Sequence, residues 1–149
     1  RVAQSGDPMA FNFPQPMLNS SDYDFSFSGL KTAVLYAVQD IGEINSQTQA
    51  DIAASFQHAA TEVLIKKITK ALENTGRESI VLAGGVAANK VLRNKISLLK
   101  SKLNVAVLYP PLAHCTDNAA MIAYLGSMKV NEATFSLASH AKPRWPLGS

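Results

Sequence analysis

Apolar positions recur along this chain with two different periods, and the change of period organises it. From Leu30 the apolar residues Leu30, Val34, Ala37, Val38 and Ile41 fall at i, i+4, i+7, i+8 and i+11. That spacing puts them on one stripe of a helix. Ser26 or Ser28 is the expected N-cap, and Gly42 to Gln47 reads as a loop. A longer helix is predicted over roughly 48–74. Its apolar positions are Ile52, Phe56, Ala59, Ala60, Val63, Leu64, Ile68, Ala71 and Leu72. Asp51 near its start and Lys66, Lys67 and Lys70 near its end suit the helix dipole, and Gly76 is the expected stop.

Beyond Gly76 the pattern shortens to β-branched runs. Ile80-Val81-Leu82-Ala83 reads as a buried strand, followed by the turn Gly84-Gly85 and a helix over about 88–102. Leu92, Ile96, Leu99 and Leu103 form the inward face of that helix. Val105 to Tyr109 is a second strand, stopped by Pro110-Pro111. A last helix should start at Thr116 or Asp117 and run to about Val130. Residues 1–25 are turn-rich, with Pro8, Pro14 and Pro16. They read as an extended, irregular arm; Phe11, Phe13, Met17 and Leu18 are apolar, so parts of it are expected to dock on something. The tail from Ala138 is also irregular. The expected organisation is one lobe over 1–149: an arm (1–25), a helical part (26–76), a strand–helix–strand–helix core (79–130) and a tail (131–149). The fold class is helix-rich α/β. Two strands make a poor sheet alone, so further sheet partners are expected outside this chain.

Composition narrows the classes. The chain has 149 residues, 47% hydrophobic and 17% charged, with formal net charge +3. That size suits one domain with a sizeable core. The mild positive charge is compatible with RNA or a nucleotide and does not demand either. One cysteine, Cys115, excludes an internal disulfide and fits a reducing cytoplasm. No apolar run reaches the ~18 residues of a membrane span, and no secretory leader opens the chain. A start at Arg1 rather than Met suggests a fragment or a processed product.

Candidate chemistry sits at the strand ends. A glycine pair can turn sharply and let the backbone approach a ligand, and a helix N-terminus behind it favours a phosphate. A plain strand-to-helix turn explains Gly84-Gly85 equally well. The segment is neither a dinucleotide-binding fingerprint nor a phosphate loop. Asn89 can be an N-cap, or it can hydrogen-bond a ribose or base edge. Asp117, the one acidic residue between Glu78 and Glu132, can cap a helix or ligate a metal. Cys115 is better explained as a small buried thiol than as a nucleophile, since His114 is merely its neighbour in sequence. His58 and His140 form no paired-histidine helix. Lys90, Arg93, Lys95, Lys100 and Lys102 could face RNA phosphates, though a solvated helix face is the commoner arrangement.

Three segments add a resemblance. They are Phe25-Ser26-Phe27-Ser28-Gly29-Leu30-Lys31-Thr32, Ala83-Gly84-Gly85-Val86-Ala87-Ala88-Asn89 and Cys115-Thr116-Asp117-Asn118-Ala119-Ala120. Together with Phe13-Pro14-Gln15-Pro16-Met17 and Pro143-Arg144-Trp145-Pro146-Leu147, they resemble the tRNA threonylcarbamoyladenosine transferase family, once called glycoproteases. The resemblance implies part of the C-terminal lobe of an actin-like ATPase, sugar kinase and Hsp70 fold. It implies transfer of threonylcarbamoyl from threonylcarbamoyl-adenylate (threonylcarbamoyl-AMP) to adenosine 37 of tRNA. Gly84, Gly85 and Asn89 would line the adenylate site, and Asp117 would be one ligand of an iron or zinc ion (Fe(2+) or Zn(2+)) acting as a Lewis acid. The implied partners are tRNA and, in bacteria, a paralogous inactive subunit and a small ATPase. The family's metal-binding histidine pair and its glycine-rich hairpin have no counterpart here. This polypeptide alone is therefore expected to be inactive, to bind metal weakly and, through its open sheet edge, to form homo-oligomers. A non-catalytic docking lobe for partner subunits and an ATP-binding module of the same fold are the alternatives. The old protease assignment finds no support in these residues.

Overall fold

The computed structural model describes residues 1–133; Pro143 to Leu147 and His140 lie outside the described residues. Helix α1 spans Ser28–Ile41, α2 Ser46–Thr75, α3 Lys90–Leu103 and α4 Ala119–Met128. Strands β1 (Ser79–Val81) and β2 (Ala106–Leu108) pair in parallel, with Ile80 opposite Val107. The described chain is thus helix-rich α/β with a small parallel sheet, as expected for part of an actin-like lobe. It divides into two compact units, Arg1–Cys115 and the segment from Thr116.

In the first unit α2 is the spine, about 45 Å long at 1.5 Å per residue. It starts earlier than the apolar pattern suggests because Asn45 caps it, its side chain accepting from the Thr48 N–H at 2.8 Å. It ends as expected: Gly76 takes the left-handed conformation (φ 62°) and its N–H donates to the Leu72 carbonyl at 2.9 Å. The arm lies on this spine. Asp7 N–H donates to Asp51, Phe11 N–H donates to Ser55 Oγ, and that hydroxyl donates to the Asp7 carbonyl. A side chain at Gly6 would run into the Ala50 carbonyl, so only glycine permits this approach. Phe13, Leu30, Ile52 and Ala59 then form a buried cluster joining arm, α1 and α2.

Four expectations need correction. The first helix has Phe27 at its N-cap position with no side-chain cap; Ser26 Oγ instead accepts from Ser28 N–H at 3.3 Å. Lys67 and Lys70 do not serve the α2 dipole. They reach sideways, Lys67 to Ser20 Oγ and Asp22, Lys70 to the Ser20 and Ser21 carbonyls, and so tie down the end of the arm. The strand after Gly76 is not buried: Ser79 and Val81 are exposed and Ile80 is half-buried, because β1 and β2 pair only with each other. Finally, α3 begins at Lys90 rather than 88, after a 3-10 turn over Gly85–Ala88. Its inward Leu92, Ile96 and Leu99 are buried as the spacing requires.

Candidate functional site

The loops that matter lie beyond the C-terminal ends of the two parallel strands, the end at which α/β sheets bind ligands. After β1 the chain reaches Gly84, with φ 82° and ψ 174°, a conformation that glycine adopts readily. Nothing crowds the space where its side chain would be, so the backbone angle alone calls for glycine there. Gly85 opens the 3-10 turn, closed by Ala87 N–H on the Gly84 carbonyl and Asn89 N–H on the Val86 carbonyl, both at 3.0 Å. This turn stands between the glycine pair and α3, so the helix does not begin directly behind the glycines.

Asn89 is the N-cap of α3. Its Oδ1 accepts from Leu92 N–H at 3.1 Å, and its Nδ2 donates to Gln57 Oε1 on α2 at 3.2 Å. Each atom keeps spare capacity, one lone pair and one N–H. The residue therefore caps the helix and still offers an amide outward. It lines a cleft of about 440 Å³ with Arg1, Ala3, Gln4, Gln57, Lys90 and Val91, among which there is no carboxylate. Two cations and three amides around one cleft suit an anionic ligand with polar edges.

Arg93 ties together the loops that follow the two strands. Its Nε donates to the Ala87 carbonyl at 2.5 Å, and a second nitrogen donates to the Pro110 carbonyl at 3.4 Å and to Cys115 Sγ at 3.2 Å. Its guanidinium stacks on Tyr109, 4.6 Å from the ring centre. It thus bridges the loop after β1 and the loop after β2. Cys115 is buried, as its reading as a structural thiol requires. Of the other basic residues proposed to face phosphates, Lys95 is engaged with Glu62 at 2.8 Å and Thr61 at 2.8 Å. Lys95 holds the Glu62 carboxyl below its ordinary value, chiefly by that hydrogen bond and against the opposing effect of burial. Lys90, Lys100 and Lys102 remain exposed.

Asp117 belongs to the second unit, where it is exposed. It does not cap α4. Asn118 does, accepting from Met121 N–H at 3.0 Å, so the last helix starts at Ala119. Among the described residues no group of three or more His, Cys, Asp or Glu side chains could hold a metal ion. The donor set present here therefore does not fit a complete iron or zinc site. Gln57 and Asn118 are the residues that sequence patterns missed. A mid-helix glutamine carries no local signal, whereas Asn118 immediately before an apolar run is a cap signal in its own right.

A helix-rich α/β segment with a small parallel sheet and loops at its C-terminal strand ends defines the class. The family model described as TsaD, tRNA N6-adenosine threonylcarbamoyltransferase, matches residues 1–124, and the chain belongs to that family. A tRNA N6-adenosine threonylcarbamoyltransferase of Thermosipho africanus is 56% identical across 85% of this chain and 38% of that protein. The protein of the same name from Chromobacterium violaceum is 47% identical across 100% of this chain and 45% of its own length. That of Neisseria meningitidis is 43% identical across 98% and 46% respectively. The chain thus spans less than half the length of these curated relatives. No helix among the described residues is long and apolar enough to cross a membrane.

Proposed function

We propose that this chain is the C-terminal part of a longer cytoplasmic tRNA N6-adenosine threonylcarbamoyltransferase, supplying one wall of its adenylate site. The match of the TsaD family model over residues 1–124 carries the reading. In this role the Gly84-Gly85 turn gives close backbone approach to the adenylate. The outward amide of Asn89 hydrogen-bonds its ribose or base edge, and Lys90 offsets phosphate charge. Asp117 is a single carboxylate toward an iron or zinc ion whose remaining ligands lie outside the described residues. Threonylcarbamoyl-adenylate and tRNA are the substrates, with a paralogous inactive subunit and a small ATPase as bacterial partners.

The test uses the full-length polypeptide with threonylcarbamoyl-adenylate and tRNA. Asn89→Ala should raise KM for the adenylate about tenfold, the size of one or two lost hydrogen bonds. Asp117→Ala should lower kcat at least about tenfold and fail to rescue cells depleted of the transferase. Full rescue by Asp117→Ala would remove it from the metal set. The 149-residue chain alone should form no product and bind iron or zinc only weakly; one equivalent bound at micromolar affinity would contradict this.

A further inference from the structure

We propose that Gln57 is a positioning residue for the adenylate site: it sets the orientation of the Asn89 amide from the neighbouring helix. The inference rests on the reading of Asn89 given above and adds a residue to it. An asparagine at a helix N-cap needs only its oxygen for capping, and rotation of its amide about the last side-chain bond exchanges oxygen and nitrogen. Here Oδ1 accepts from Leu92 N–H while Nδ2 donates to Gln57 Oε1. The acceptor on α2 thus holds the nitrogen on one side and leaves the second N–H pointing elsewhere. Both residues line the same cleft with Lys90.

Gln57 is well placed to act as a fixed reference. The turns of α2 that flank it are buried at Ala54, Ser55 and Ala59. Ser55 is tied to the arm through Phe11 N–H and the Asp7 carbonyl. Farther along, α2 and α3 are joined a second time by Lys95 with Thr61 and Glu62. With this second link the two helices do not rest on the Gln57 contact alone, so a positioning role can be told from a structural one.

The experiment compares three variants of the full-length enzyme by KM for threonylcarbamoyl-adenylate, kcat and thermal midpoint. Gln57→Leu removes the acceptor and should raise KM about three- to tenfold, the value of one neutral hydrogen bond, with kcat within about twofold. Gln57→Ala should do the same and stands in if the leucine variant does not fold. Glu62→Gln weakens the other link between α2 and α3 and should lower the thermal midpoint with KM unchanged. Gln57 variants that lose thermal stability with KM unchanged would overturn the proposal. A normal KM in Asn89→Ala would instead remove Asn89 from the site and this inference with it. A raised KM in Asn89→Ala but not in Gln57→Leu would overturn the inference alone.

Discussion

Two helices with apolar faces meet different fates in this molecule. Helix α1, in the first unit, buries Leu30 completely and half-buries Val34, Ala37 and Val38 against the arm and α2. Helix α4, in the second, carries no charged side chain and buries no residue; Ile122 is 65% exposed and Tyr124 68%. A helix this apolar gains its stability from being covered rather than from its own hydrogen bonds. The comparison shows that apolar pattern states what a helix needs, while burial depends on what its own unit packs against it. In the first unit the delivery is specific: a glycine that lets the arm touch α2, a buried serine that fastens it, and two lysines that hold its far end.

Leu30→Ala is the strongest way to test that contrast. It should destabilise the chain by about 2–5 kcal/mol, measured by chemical denaturation. Ile122→Ala in α4 should stay within about 0.5 kcal/mol. Equal losses at the two positions would break the comparison. Gly6→Ala comes next. Its added methyl meets the Ala50 carbonyl, and it should cost about 1–3 kcal/mol while loosening the arm in hydrogen exchange. A stable Gly6→Ala protein with a protected arm would mean that the close approach is not needed. The smallest expected effect is a pH dependence. The Glu62 carboxyl lies below its ordinary 4.5, first through the Lys95 hydrogen bond, and Asp22 lies below 3.8 through Ser20 and then Lys67. The folded state then binds fewer protons than the unfolded state, so these carboxylates stabilise it above their ordinary values. That stabilisation is lost as pH falls through the depressed folded values. Glu62→Gln should remove about 0.5 kcal/mol above pH 4.5 and flatten the acid limb of the stability curve. An unchanged acid limb would place the titration elsewhere.

Local rules made much of the frame legible. The stripe from Leu30, the helix ending at Gly76, the inward face Leu92–Ile96–Leu99 and the stop at Pro110-Pro111 all follow from period and turn chemistry, and each element stands within a few residues of its expected place. Boundaries slipped where two neighbours could both cap: Asn118 took the place expected of Asp117, and Asn45 started α2 ahead of its first apolar residue. At the candidate site the glycine pair and Asn89 were visible because a strand, a turn and a helix follow one another there. The role of Gln57 was not, since its partner is 32 positions away in sequence.

By itself, then, the sequence determined the helix-rich α/β class, the order of elements, the small buried thiol at Cys115 and the residues that mark the family, because these depend on neighbours within a turn or two. Tertiary structure decided which charges are free and which amides are committed. Lys67 is buried against the arm, Lys95 is spent on Glu62, Arg93 bridges two loops, and Asn89 is shared between a helix cap and Gln57. Such assignments depend on groups brought together from distant parts of the chain, where desolvation makes each polar atom find a partner, and no local pattern records which partner that is.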